Sequence, residues 1–400
     1  MSHSTDNRTA GIGGETSLAT VSDHVSVTLD VREASDRMFA LGEWRSLEQR
    51  LGNVPLMCSV DWTTAWLDAF GDLVPHSFVL AHESSPNNVV GACLVTRGVA
   101  QKDGPLPIRT LHLGTAGEPD ADSVCVEYND LLVEPAARES FCEALRQHFE
   151  SQPKIDQWNL DGITDDLADR FEDSAERLQR RVEASHWFDL TIPREKGTRV
   201  LDELRSATRR KIKHCLKVVG NVTIEWSESL SEATDIFSEM IDLHQAHWNS
   251  IGKTGCYASE RFTRFHEALL ARLIPEHRIA FVRVRISGRT LGCVQLLIDR
   301  NRVLLYQCGR TLDESVPSPG VLTDYLAMEA CLDRGFGAYD FLPVETQHKR
   351  HLSNRNNSIV WAKRRHPKLK FALLDTARRL KHSSIAQQLK GVGSTTSPEP

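Results

Sequence analysis

From Trp62 onward the chain alternates between two rhythms of apolar and polar residues. "WTTAWLDAF" places its apolar positions at helical spacing, whereas "SFVLAHE" and "VVGACLVTRG" are apolar runs of strand length on either side of the polar turn "SSPNN". They predict a helix followed by an antiparallel hairpin. "YNDLLV", the amphipathic helix "ARESFCEALRQHFE" and the strand "QWNLDGI" follow.

The second half repeats this order. "EATDIFSEMIDLHQAHWN" and "ERFTRFHEALLARLI" are helical by their apolar spacing, and "RIAFVRVR" and "TLGCVQLLID" are strands joined through Ser287-Gly288, a pair suited to a tight turn. "RVLLYQCG" is then a strand, "SPGVLTDYLAMEACLDRG" a helix and "AYDFL" a strand. The second hairpin strands even match locally, Val90-Gly91-Ala92-Cys93 beside Leu291-Gly292-Cys293. The pattern therefore predicts two copies of one α/β (α+β) unit. In each unit a hairpin is followed by a strand–helix–strand crossover, which puts a parallel pair into an otherwise antiparallel sheet, and a crevice opens where parallel strands diverge.

The helix after Ser318 is the most informative element. Val321, Tyr325, Met328 and Leu332 form an apolar stripe, Gly335 is a left-handed stop, and the helix is expected from about Pro319 to Arg334 with Ser318 as N-cap. The N–H groups of Gly320, Val321 and Leu322 then point out of the positive end of the helix, where glycine lets phosphate oxygens approach closely. The serine hydroxyl competes for one of these donors.

Composition narrows the function without naming it. Four hundred residues suit two domains and tails, here divided as a disordered tail 1–26, domains 27–187 and 188–368, and a basic helix and disordered tail 369–400. With 48 basic and 54 acidic side chains and a net charge of −6, the chain as a whole is not built to bind DNA. Nine scattered cysteines form no metal-ligand spacing, so no metal is expected and the thiols read as reduced, as in a cytoplasmic protein. No window is a secretory signal or a membrane span.

The run from "LLYQCG" through "SPGVLTDYLAMEACLDRGFGAYDFL" to "HKRH" resembles the C-terminal signature of the CelD-like acetyltransferases, a branch of the GNAT superfamily related to the Fem-type peptidoglycan aminoacyltransferases. "LHQAHW", "RFH", "ATRRKIKHCLKVVGNVTIEW", "DWTTAWLDAFG" and "YNDLLV" extend the likeness over residues 40–365. It implies tandem GNAT-like mixed sheets with flanking helices, and acetyl-CoA or another acyl-CoA as co-substrate. It maps Ser318, Gly320 and Val321 to the phosphate-facing turn, although the superfamily's usual Q/R-x-x-G-x-G/A is missing. Asp340-Phe341-Leu342, Glu345 and Lys349 match the family pattern. Val344 stands where the family usually has glycine, His348 where it has tyrosine and Leu352 where it has tryptophan.

Acyl transfer to an amine needs a held donor, a polarised carbonyl and a proton acceptor. Tyr306 and Cys308 lie near the expected carbonyl and, by alternation, on one face. His244 and His266 are the candidate bases. Trp248, one turn from His244, and Glu345 are candidate substrate contacts. Asp340 is placed to orient or deprotonate the amine and Lys349 to pair with an anionic group. In the basic helix around Arg205 to Lys217, Arg209, Arg210 and Lys213 are candidate phosphate contacts. Residues 363–390, with nine Lys/Arg and only Asp375, suit weak contact with an anionic membrane surface.

The expected function is N-acyl transfer to an amino group of a sugar or other envelope-related small molecule. Two readings stand beside it: Fem-type aminoacyl transfer from charged tRNA, and a non-catalytic scaffold in polysaccharide assembly.

Overall fold

The structure is a computed structural model that describes residues 25–83, 88–173, 177–344, 346–376 and 378–379. Residues 1–24 of the expected tail 1–26, residues 377 and 380–400 of the expected basic helix and tail 369–400, most of the turn "SSPNN" and Glu345 lie outside the described residues. The first half runs β1 (Val27–Glu33), α1 (Arg37–Leu51), α2 (Val60–Phe70), β2 (His76–Glu83), β3 (Val89–Arg97), β4 (Lys102–Asp103), β5 (Leu106–Pro107), β6 (Thr110–Leu113), β7 (Leu132–Val133), α3 (Arg138–Glu150), β8 (Gln157–Ile163), α4 (Asp165–Arg170) and β9 (Gln179–Asp189). Three helices follow, α5 (Thr191–Lys196), α6 (Val200–Glu203) and the basic α7 (Ser206–Val219). The second half runs β10 (Val222–Trp226), α8 (Leu230–Ser250), α9 (Glu260–Leu273), β11 (Ile279–Ile286), β12 (Arg289–Asp299), β13 (Arg302–Arg310), α10 (Pro319–Asp333), β14 (Ala338–Asp340), α11 (Gln347–Leu352) and β15 (Arg355–Arg365).

The predicted repeat is present, with one more strand before and one after each copy. All strands except β4 and β5 join one sheet in the order β1-β2-β3-β6-β8-β15-β9-β14-β13-β12-β11-β10, with β7 beside β3. This order is a palindrome if each half's last strand is exchanged: β15 pairs with β8, and β9 with β14. β9 and β15 form the seam, in register from Arg355↔Trp187 to Lys363↔Gln179. The proposed domain division at 187/188 falls inside β9. As expected, the neighbouring pairs are antiparallel except β6 with β8 and β13 with β14.

One helical layer is shared by both halves. Trp62, Trp66 and Phe70 of α2 join Phe262 and Phe265 of α9 in a single core, with the Trp62 and Phe265 rings edge to face at 5.0 Å. Helix α3 covers the other face in the first half and α10 in the second. The single apolar stripe expected on α10 is a correction: residues 322 to 332 are buried all round, because α6 and α7 pack against the side that faces away from β12. Two carboxylates are buried with it, and both are paired. Glu329 meets Arg199 at 2.8 Å, and Asp324 meets His348 at 2.6 Å.

Candidate active site

Strand β13 pairs with β14 only from Arg302↔Ala338 to Leu304↔Asp340, and then runs on to Arg310 with no strand on that side. This is the crevice that the topology predicts. In the first half its counterpart is closed by the chain itself. Asn129 bridges to Ile163, and its side-chain amide donates to the carbonyls of Leu113 at 3.0 Å and Asp161 at 3.1 Å. Gly162 (φ 65°) lets the chain pass there, since a Cβ would lie 1.7 Å from the Val126 carbonyl oxygen. In the second copy no described strand or bridge takes that place.

A bulge shapes the floor of this crevice. Gln295 pairs with Gln307 and Leu296 with Leu305, so Tyr306 is an extra residue in β13. The bulge resets the alternation, which corrects the expectation that Tyr306 and Cys308 share a face. Tyr306 points into the shared core and donates from Oη to the Cys125 carbonyl at 2.9 Å. Cys308 is solvent-accessible on the side facing Asp324 and Lys349, and burial of its surroundings pushes its thiol up to about 11, so it stays neutral near pH 7.

Helix α10 begins beside the end of β13. Ser318 has left-handed backbone angles (φ 50°, ψ 57°) and its hydroxyl makes no capping bond, a correction to the expected serine cap that follows from that backbone turning the side chain away. The N–H of Leu322 bonds the Ser318 carbonyl at 3.2 Å and is therefore not a free donor, another correction. Gly320 and Val321 precede that first intrahelical bond and present theirs. Around Gly320 stand two groups that the sequence reading did not assign: a Cβ there would meet Arg310 Nη1 at 3.2 Å and His348 Cε1 at 3.8 Å. Arg310 has only the His247 ring nitrogen at 3.4 Å as side-chain partner, and no carboxylate among the described residues.

The first half contributes a cavity near Lys349. Cys125, Val126 and Glu127 line a cavity of about 430 Å³ together with Pro343, Val344 and Trp361. Glu127 is buried, its Oε2 has no hydrogen-bond partner, and burial pushes its carboxyl up to about 7, offset in part by Lys349. Glu118 is also held up to about 7 by burial, but it accepts from the Val124 N–H at 2.6 Å and from Trp66 Nε1 at 3.3 Å, which fixes the same segment.

The sequence-chosen residues divide by environment. Asp340 is fully buried and accepts from Tyr128 Oη (2.5 Å), Ser185 Oγ (2.6 Å), Arg302 Nη1 (2.6 Å) and the Leu342 N–H (2.8 Å), so its oxygens are saturated. Lys349 donates to the carbonyls of Leu342 (3.0 Å) and Pro343 (2.8 Å), clamping a turn in which Leu342 (φ 58°) and Val344 (φ 72°) are left-handed. Burial lowers its ammonium below the ordinary lysine range. His266 is enclosed by Phe262, Phe265, Tyr257 and Tyr306, and burial holds it down to about 3. His244 accepts from Trp248 Nε1 at 2.9 Å, and both line a second cavity of about 580 Å³ on the other side of Asp120 and Ser123. Arg209 is spent on the carbonyls of Asp202 and Leu204, while Arg210 and Lys213 are not near-buried groups. Leu352 fills the core on α10.

Residues 202–350 match the family model described as an acetyltransferase (GNAT) domain. Among solved structures, FemX aligns with a TM-score of 0.50 and 11% identity, over 80% of this chain and 95% of that one. The C-terminal domain of a "Putative Lysylphosphatidylglycerol Synthetase" from Agrobacterium fabrum gives 0.51 and 12%, over 85% and 96%. A tandem GNAT protein from the clavulanic acid biosynthesis pathway gives 0.42 and 13%, over 85% and 100%. No curated protein matches the sequence. The structural likenesses concern the fold, and the domain match supplies the class: the protein is an acyltransferase with a GNAT domain in its second half.

Proposed function

We propose that the protein is a CelD-like N-acyltransferase that moves an acyl group, acetyl in the simplest case, from coenzyme A to an amino group on a sugar or other envelope-related small molecule. The observation that carries this reading is a chain of neighbours from the start of α10 to a buried acid. The Arg310 guanidinium, without a carboxylate partner among the described residues, stands beside Gly320; Cys308 lies within electrostatic reach of both Arg310 and Lys349, and Lys349 of the buried, proton-binding Glu127. The helix start and Arg310 suit the pyrophosphate of coenzyme A. The edge of β13 beyond Leu304 has no strand partner and offers backbone donors to the thioester carbonyl.

In this reading Glu127 takes the proton from the acceptor amine, the amine nitrogen bonds to the carbonyl carbon, and the carbon–sulfur bond breaks as coenzyme A leaves and takes up a proton. Glu127 replaces Asp340, His244 and His266 as the proposed base, because it alone of the four combines a cavity wall with an acceptor atom that has no hydrogen-bond partner. Asp340, with Lys349, is proposed to hold the turn over the site, and Trp248 to contact substrate from the second cavity. No described helix is long and apolar enough to cross a membrane. We assign the reaction to the cytoplasm, with the basic C-terminal region as a weak membrane-surface contact.

Thermal unfolding with acyl-CoA tests the donor. Stabilisation by acetyl-CoA or a longer acyl-CoA at tens of micromolar is expected. No shift with any thioester would move the reading to aminoacyl transfer or to a scaffold.

A further inference from the structure

The cavity beside Glu127 does not end there. It shares Gln101, Asp120 and Asn159 with a neighbouring cavity of about 590 Å³, so the two form one groove. Strand β15 is its floor. Trp361 faces the first cavity, and Lys363 and Arg365, two and four residues further on the same face, line the second. At about 3.3 Å per residue these cations lie about 7 and 13 Å along the strand from Trp361.

The far cavity carries surplus positive charge. Arg365 reaches Asp103 at 2.8 Å and Arg378 reaches the same carboxylate, and both also stand near Asp375, at 3.6 and 3.7 Å. With Lys102 and Lys363 the lining holds four cations against Asp103 and Asp120. The Lys363 side chain makes no hydrogen bond and no ion pair with a described residue. Burial and the two arginines lower its ammonium below the ordinary range, with Asp103 opposing. A half-buried cation without a partner, in a lining where four cations face two carboxylates, is the environment that an anion relieves.

We propose that the acceptor is a phosphate-bearing amine, bound along β15 with its amino group at Glu127 and its phosphate at Lys363. This deepens the acyl-transfer reading and rests on it. The phosphate belongs either to a nucleotide-linked sugar or to a lipid headgroup, and the test separates them.

Calorimetric titration of the full chain uses UDP-glucosamine, glucosamine and acetyl-CoA as probes, and sedimentation uses phosphatidylethanolamine vesicles. UDP-glucosamine, or the vesicles if the source is lipid, is expected to bind at least tenfold more tightly than glucosamine, and Lys363→Glu is expected to remove that advantage. Acetyl-CoA affinity stays unchanged in the variant, which also verifies its fold. If Lys363→Glu binds both phosphate-bearing probes as the parent does, or the parent favours neither over glucosamine, the proposal is overturned. Loss of acetyl-CoA binding by the parent itself would count against the acyl-transfer reading instead.

Discussion

Tyr306 Oη, on the bulged strand of the second half, donates a 2.9 Å hydrogen bond to the Cys125 carbonyl in the first half. The bond ties the segment that carries Glu127 to the strand that borders the open crevice. Tyr306→Phe leaves that carbonyl without its partner, at an expected cost of about 1–2 kcal/mol. The base also loses its anchor, so kcat is expected to fall while the KM for acyl-CoA holds. Urea unfolding and steady-state kinetics check both, and an unchanged kcat would show that the tie does not matter for reaction.

Glu127 keeps its proton up to about pH 7 when folded, against an ordinary value of 4.5. Between those values the folded state binds the extra proton, so this group's contribution to stability falls as pH rises from 4.5 through 7. In the proposed reaction activity runs the other way, because Glu127 must be ionised to act as the base, and kcat/KM is expected to rise with pH to a plateau above about 7. Glu127→Gln should lower kcat by roughly 10²- to 10⁴-fold with acyl-CoA affinity retained, and reduce the stability slope in that window. Glu118 titrates near the same pH and keeps part of the slope. A variant with the parent's pH–rate profile would remove Glu127 as the base.

Val344 carries a β-branched side chain at φ 72°, exposed by 67%. Left-handed backbone costs such a residue about 1–2 kcal/mol, and glycine adds about 0.5–1 kcal/mol of chain entropy. Val344→Gly is therefore expected to stabilise the protein by up to about 1 kcal/mol, read as a higher urea midpoint. A lower midpoint would mean that the valine side chain holds the turn by contacts that outweigh the strain.

That position also shows how far the sequence reaches. The family resemblance places glycine at 344, and the backbone there is the kind glycine favours, so the departure was legible although its cause was not. The helices and hairpins of the repeat were legible because their apolar residues recur at helical spacing or run on for a strand's length between turns. Strands β9 and β15 were not: "QRRVEASHWFD" and "RNNSIVWAKRR" mix charges into both faces, since they pair with each other at the seam. Their exchange between halves leaves no local signal. Tyr306 misled because a bulge shifts phase without changing composition. Glu127 gave one weak sign, a lone carboxylate between Val126 and Tyr128, but its proton affinity comes from residues brought up by folding.

His266 is held down to about 3 inside its aromatic enclosure. From pH 6.5 down toward 3 the unfolded chain binds a proton that the folded chain refuses, so stability present above 6.5 is lost as pH falls. His266→Phe is expected to flatten this acid limb and to cost about 1 kcal/mol near neutrality, where Gln295 loses its 3.0 Å partner. Unfolding across a pH series checks the slope. An unaltered slope would contradict the burial argument, and a hundredfold loss of kcat would return His266 to the chemistry.

The central claim is that the start of α10 holds the coenzyme's phosphates. Isothermal titration of acetyl-CoA into the parent and Gly320→Glu tests it most directly, since a Cβ there needs only a small movement of the flexible Arg310 end and the new carboxylate would sit on that guanidinium. Binding by the parent and its loss in the variant, with the unfolding midpoint preserved, is the predicted result. Equal affinity in the two proteins would contradict the account.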